Sequence, residues 1–205
     1  VVVSVGHSAA TASTTRKALD AGATMGTHLF NAMPPMTARE PGIAGVLISD
    51  ARTHFGMIVD GHHHDPAMVA MAWAAAPERF CLVTDGIAAM GLSDGSYTLG
   101  PIDVTVVNGA VRNAEGNLAG ASATMDRELS LLISITGASL EDAVKAATFN
   151  PSEAIGAWDR GRIRRGSRGD LVLLDGDKVA ATIVGGEVVH LTEPDRWKGT
   201  PHAAS

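Results

Sequence analysis

The sequence predicts an α/β protein: four βα units, equal to half of an eight-stranded (β/α) barrel, followed by strands of a small β domain. Three observations carry that expectation. Short apolar runs at residues 1–5, 23–27, 55–59 and 80–84 alternate with helical patterns, as the strands of a parallel sheet do. Each run leads into a side chain that can bind a metal or move a proton, at His7, His28, His63 and Asp85. Strand ends of such a barrel converge on one face, so these four residues would meet at one site. Beyond Gly161, Gly-Asp and Gly-Gly pairs separate short apolar runs up to His190, the pattern of antiparallel strands.

Along the chain, Ser8 or Thr11 can cap a helix through about Ala21, which Gly22 ends. Residues 31–50 form a longer connection that Pro34, Pro35, Pro41, Gly42 and Gly45 break too often for one regular helix. Long loops at the active end of a barrel are where substrate contacts are expected. Asp65-Pro66 reads as the N-cap and first position of an Ala- and Met-rich helix to about Ala75, which Pro77 terminates. Residues 96–99, 103–107 and 110–113 read as strands with turns at Asn108-Gly109 and Glu115-Gly116-Asn117, a β excursion from the barrel over about 96–117. Helical periodicity resumes over 124–136, Ser139 caps a helix to Ala147, and Asn150-Pro151 caps a short one ended by Gly156. The expected organisation is a partial barrel over 1–156, a small β segment over 157–190 and a loosely docked tail over 191–205.

With 205 residues and 45% hydrophobic content, the chain can bury one large or two small cores. A net charge of −6 gives no electrostatic reason to expect nucleic acid, and Arg160, Arg162, Arg164, Arg165 and Arg168 read as a solvated face. The single cysteine, Cys81, lies in an apolar run and suits a core position in a reducing compartment, so a cytoplasmic location is expected. The longest apolar run, residues 68–77, falls well short of the roughly 20 residues that a membrane span needs. The chain starts without methionine and inside a strand pattern, so further barrel polypeptide is expected upstream.

Gly6-His7 and Thr27-His28 stand one βα unit apart, and neighbouring strand ends would bring both imidazoles within reach of one divalent ion. Such an ion acidifies a water, and a carboxylate at the fourth strand end, Asp85, can take the proton. The structural alternative for Asp85 is a helix or turn cap ahead of Gly86. The run His62-His63-His64 imitates a metal site, but neighbouring side chains of an extended segment point to opposite sides. His54, His190 and His202 are expected to be structural or exposed.

Six strings follow one another: Gly6-His7-Ser8, Thr27-His28-Leu29-Phe30-Asn31-Ala32-Met33, Arg39-Glu40-Pro41-Gly42, Asp60-Gly61-His62-His63, Leu82-Val83-Thr84-Asp85 and Leu118-Ala119-Gly120. In kind and order the series resembles the motifs of N-acetylglucosamine-6-phosphate deacetylases, in the amidohydrolase superfamily. Ala147-Thr148-Phe149-Asn150-Pro151 and Gly169-Asp170-Leu171-Val172-Leu173-Leu174-Asp175 extend the likeness over about residues 1–190. The Thr-His-Leu-Phe-Asn-Ala-Met string is its most specific part, while Asn-Pro and Gly-Asp-Leu-Val mark only the wider superfamily. The resemblance implies the C-terminal half of a (β/α)8 barrel with strands of a small β-sandwich domain.

It also implies metal-dependent deacetylation of N-acetylglucosamine 6-phosphate to glucosamine 6-phosphate and acetate, in amino-sugar catabolism. His7 and His28 match metal ligands, with zinc the first expectation and iron, manganese or cobalt open, while the family's metal-binding glutamate matches no segment here. Asp85 matches the catalytic aspartate. Asn31 and Ala32, through backbone N–H groups, and Arg39, through its guanidinium, would hold the phosphate. On residues alone, Arg39 reads equally well as a surface salt bridge to Glu40 or Asp50. Asp60, Gly61, His62, His63, Leu118, Ala119 and Gly120 would line the sugar. His62 and His64 fall where the pattern needs no histidine, and for both a solvent-facing placement is the alternative. The implied partners are the sugar phosphate, a second copy of the chain in a homodimer, and the N-terminal half of the barrel. The alternatives are an amidohydrolase acting on a different, cyclic amide, and a non-catalytic sugar-phosphate-binding fragment.

Overall fold

The computed structural model describes residues 1–193. Of the expected tail, Leu191 still belongs to the last strand, and His202 lies outside the described residues. The four apolar runs become a parallel sheet in chain order, from β1 (Ser4–Val5) through β2 (Met25–Gly26) and β3 (His54–Met57) to β4 (Phe80–Leu82). Val5 pairs with Gly26, Gly26 with Phe55 and Phe55 with Phe80, so the strands run level. The helices α1 (Ala12–Asp20), α2 (Gly42–Ser49) and α3 (Pro66–Ala75) connect them. Thr11 caps α1 by accepting from Thr14 N–H, and Asp65 caps α3 ahead of Pro66, as the sequence predicts. Buried Leu47 of α2, Phe55 and Met57 of β3, Val69 of α3 and Phe80 and Leu82 of β4 share the main core.

The proline-broken connection contains one helix that the sequence reading did not resolve. Pro41 ends the irregular stretch, and α2 then packs so closely on β2 that a Cβ at Gly26 would stand 2.2 Å from Leu47 Cδ1. Arg79 donates to Leu47 O, Asp50 O and Thr53 O, satisfying carbonyls at the C-terminal end of α2.

The three strands read between residues 96 and 113 form: β5 (Gly95–Leu99), β6 (Ile102–Val107) and β7 (Ala110–Asn113) make an antiparallel sheet with a core of Ala89, Val104, Val106 and Val111. Three helices follow, α4 (Met125–Thr136), α5 (Leu140–Ala147) and α6 (Phe149–Ile155), with Ser139 capping α5. The expected cap at Asn150 is a correction. The chain enters α6 through Thr148, and the buried Asn150 amide donates to Pro77 O and Phe80 O, tying α6 to β4. The strands β8 (Leu171–Asp175), β9 (Lys178–Val184) and β10 (Glu187–Leu191) form the second antiparallel sheet. Cys81 is buried in β4, and burial pushes its thiol up to about 12. Among the described residues no helix is long and apolar enough to cross a membrane.

Candidate active site

Glycine at position 6 lets the first two strands close up. A Cβ there would stand 2.8 Å from Thr27 Cβ, just ahead of both histidines. His7 lies two residues beyond Val5 and His28 two beyond Gly26, so the paired strands deliver both rings at one level. Their Nε2 atoms are 2.8 Å apart. In a neutral pair one ring donates and the other accepts. His28 is 8% exposed and its Nδ1 is buried without a partner, whereas His7 is open to solvent. Both backbones are left-handed, with φ of 44° at His7 and 20° at His28. Such strain costs on the order of 1–3 kcal/mol per residue and persists only where the surroundings fix it. Two converging imidazole nitrogens are a donor set that a divalent transition metal takes, so the pair fits two ligands of the expected ion. Among the described residues, no group of three or more His, Cys, Asp or Glu side chains gathers for a metal.

The strand-end loop after His28 bends sharply. Asn31 N–H donates to His28 O at 3.0 Å, which corrects one expectation: that donor is engaged inside the loop and is not available to a phosphate. Ala32 N–H makes no such bond among the described residues, and Ala32 O accepts from Ser8 N–H at 3.2 Å, so the first two strand-end loops meet. A cavity of ≈ 350 Å³ lies there, lined by His7, Ser8, Ala9, Ala32, Met33 and Pro34. Arg39 is exposed and makes no ion pair among the described residues. Glu40 is engaged elsewhere, its Oε1 accepting from Ala12 and Gly42 N–H, bonds that keep the Glu40 carboxyl below its ordinary range. Asp50 is paired with Arg52. The surface salt bridge weighed for Arg39 does not form.

After β3, Asp60 is 2% exposed, Oδ1 accepting from His62 and His63 N–H and Oδ2 lying 2.8 Å from His63 Nδ1. Burial alone would raise this carboxyl. The hydrogen bonds from the His63 ring and the two N–H groups outweigh it and hold the group well below its usual value. Asp60 is therefore an acceptor, His63 Nδ1 points its proton at it, and His63 Nε2 is the nitrogen left for a ligand.

The three histidines diverge, but not by alternation along an extended strand, since residues 61–64 form a bend around Asp60. Nor do His62 and His64 stand fully in solvent: both are half-buried. His62 Nε2 is buried without a partner, and Gly109 of the β6–β7 turn sits over it, where a Cβ would approach to 3.4 Å. His64 turns inward, Nδ1 to Ile58 O at 2.9 Å and Nε2 to Leu29 O at 3.0 Å and Asn31 Nδ2 at 3.1 Å, and burial lowers its pKa.

Asp85 follows β4 with φ of 49° and an exposed side chain that makes no hydrogen bond among the described residues, so it caps no turn or helix there. Its carbonyl accepts from Ala121 N–H at 2.9 Å, which brings Leu118, Ala119 and Gly120 beside it. Only glycine suits position 120, where φ is 74° and a Cβ would meet Ile87 Cγ2 at 2.5 Å. Neither hydrogen bond nor ion pair joins Arg39 to any of these groups.

One residue escaped the sequence reading. Glu128, in the first turn of α4, is 0% exposed, with Oε2 accepting from Val59 N–H at 3.0 Å and Oε1 unpartnered. Burial first, then the charges of Asp60 and Asp85, push its carboxyl up to about 8. In sequence it reads as an ordinary first-turn acid beside Asp126. Its one distinguishing signal is the apolar company of Leu129 and Leu132.

Residues 1–189 match the Amidohydrolase family. The chain is similar to the N-acetylglucosamine-6-phosphate deacetylase of Bos taurus, 41% identical over 205 residues, covering 96% of this chain and 50% of that protein. It is similar at 38% identity to the N-acetylgalactosamine-6-phosphate deacetylase of Escherichia coli O157:H7, covering 85% of this chain and 47% of that one. Among solved structures it resembles a variant of the Mycobacterium smegmatis N-acetyl-D-glucosamine-6-phosphate deacetylase in complex with N-acetyl-D-glucosamine-6-phosphate. The TM-score is 0.88 and the identity 45%, over 94% of this chain and 52% of that one. The chain spans about half the length of the relatives it matches.

Proposed function

The chain belongs to the amidohydrolase family, and from that premise we propose that it carries the catalytic half of a metal-dependent deacetylase. The reaction is hydrolysis of N-acetylglucosamine 6-phosphate to glucosamine 6-phosphate and acetate, a step of amino-sugar catabolism. The observation that supports this best is the His7–His28 pair, level at adjacent strand ends, with the free carboxylate of Asp85 two strands along. A second reading, deacetylation of the galactosamine epimer, is favoured by the Escherichia coli relative named for it.

His7 and His28 would hold a divalent ion, zinc first and iron, manganese or cobalt after it, together with a carboxylate from polypeptide outside these residues. When bound, the ion polarises the acetamide carbonyl and acidifies water. Asp85 takes the proton of the attacking water and passes it to the amine nitrogen as the C–N bond breaks, so acetate and a free amine leave in balance. His63, oriented by Asp60, offers Nε2 to the sugar, and Leu118 to Gly120 wall the site beside Asp85. Ala32 N–H and the unpaired Arg39 guanidinium take the phosphate dianion. In the same reading the four parallel strands are half of an eight-stranded barrel, and the assembled enzyme is a cytoplasmic homodimer.

The complete, metal-replete protein given N-acetylglucosamine 6-phosphate should release acetate and primary amine in equal amounts. Folded, metal-replete protein that releases no acetate contradicts the proposal. Turnover of a cyclic amide instead would select the other amidohydrolase reading, and binding without turnover the non-catalytic one.

A further inference from the structure

The His64 ring stands between two strand-end loops that carry much of the candidate site. Its Nδ1 lies 2.9 Å from Ile58 O and its Nε2 3.0 Å from Leu29 O, both acceptors; a neutral ring has one proton, and with it on Nδ1, at the shorter contact, Nε2 is an acceptor. Around Nε2 are Leu29 O at 3.0 Å and Asn31 Nδ2 at 3.1 Å, and of these only Nδ2 can donate. Asn31 Nδ2 also faces His28 O and Leu29 O, each at 3.4 Å. With that tautomer three acceptors surround the nitrogen, so the amide stands with NH₂ inward and Oδ1 outward. The ring meets Phe30 edge-on at 5.9 Å as well. The segment so pinned is strained, with positive φ at His28 (20°), Phe30 (71°) and Ala32 (50°), and strain of this kind needs over-determined surroundings.

We propose that His64 is a positioning residue for substrate binding. By tying Ile58 O to the Asn31 amide it fixes the 28–33 loop, so that Asn31 presents Oδ1 to a sugar hydroxyl and Ala32 its N–H to the phosphate. The inference rests on the deacetylase reading. His64 touches neither Asp85 nor the His7–His28 pair through a hydrogen bond, so its effect falls on KM rather than on kcat.

The test is steady-state kinetics of the complete, metal-replete protein on N-acetylglucosamine 6-phosphate. His64→Phe keeps the ring and its contact with Phe30 but loses both nitrogens. KM should rise about three- to tenfold, the scale of one or two neutral hydrogen bonds, with kcat within about twofold and metal content unchanged. His64→Gln, whose amide reaches the place of Nε2, should recover most of the loss. His64→Asn, which reaches only towards Ile58 O, should not. Combined with Asn31→Ala, His64→Phe should cost little beyond Asn31→Ala alone, because the two changes remove one shared contact. A wild-type KM in His64→Phe, strict additivity with Asn31→Ala, or a joint fall of kcat, metal content and stability overturns the inference. Wild-type protein that binds no sugar phosphate overturns this and the deacetylase reading together, whereas wild-type turnover with an indifferent His64→Phe overturns this alone.

Discussion

His7 and His28 bring their Nε2 atoms to 2.8 Å across 21 residues of chain, because Val5 pairs with Gly26 and Gly6 leaves room for Thr27. The contact is held at the expense of backbone comfort, since neither residue is glycine and both sit at positive φ. A site that keeps two strained histidines at adjacent strand ends is built for what the rings do together.

The strain has a measurable consequence at His7. Left-handed backbone costs a non-glycine residue roughly 1–2 kcal/mol, and glycine adds about 0.5–1 kcal/mol of unfolded-state entropy. His7→Gly should therefore leave the unfolding free energy of metal-free protein unchanged or raise it by up to about 1.5 kcal/mol, while removing turnover. A loss above about 1 kcal/mol in denaturant unfolding would show that His7 supports the fold itself.

Asp85→Asn isolates a charge. Asparagine tolerates the 49° backbone as aspartate does, so fold and substrate binding should survive while kcat falls by about 10²- to 10⁴-fold. Wild-type kcat in the variant would reduce Asp85 to a turn residue.

Arg39→Ala should raise KM for the 6-phosphorylated sugar by about 10- to 150-fold, the range of one charge-assisted hydrogen bond of roughly 1.5–3 kcal/mol. Unphosphorylated N-acetylglucosamine should be almost indifferent, because it brings no dianion. Equal effects on both sugars would remove Arg39 from the phosphate site.

Glu128 predicts the direction of a pH dependence. Its folded pKa of about 8 stands above the ordinary 4.5, so between those values the folded state binds the proton that the unfolded state has released. Stability from this group is therefore complete below pH 4.5 and falls as pH rises to about 8, by at most about 1.4 kcal/mol per pH unit. Glu128→Gln keeps an acceptor for Val59 N–H and cannot ionise, so it should lack that slope and be the more stable protein above about pH 8. Parallel pH profiles in urea unfolding would show that Glu128 does not titrate there.

The level parallel strands and the caps at Thr11, Asp65 and Ser139 were legible because local signals and tertiary structure agree there. The His7–His28 pairing was legible too, since it follows from strand order alone. Three things were not. Helix α2 hid behind prolines that merely precede it. His64 and Glu128 look like ordinary polar residues in sequence, and their roles come from contacts with Leu29, Asn31 and Val59 that no spacing rule encodes. The Asn31 N–H is engaged by a local turn, and the motif string does not reveal turn geometry.

The central claim is that the paired imidazoles hold the catalytic metal, and elemental analysis of the complete protein tests it most directly. Wild type should retain a stoichiometric divalent metal, and His7→Ala and His28→Ala should each lose metal and deacetylation together, while His64→Phe keeps its metal. Full metal occupancy in both the His7 and His28 variants would contradict the account.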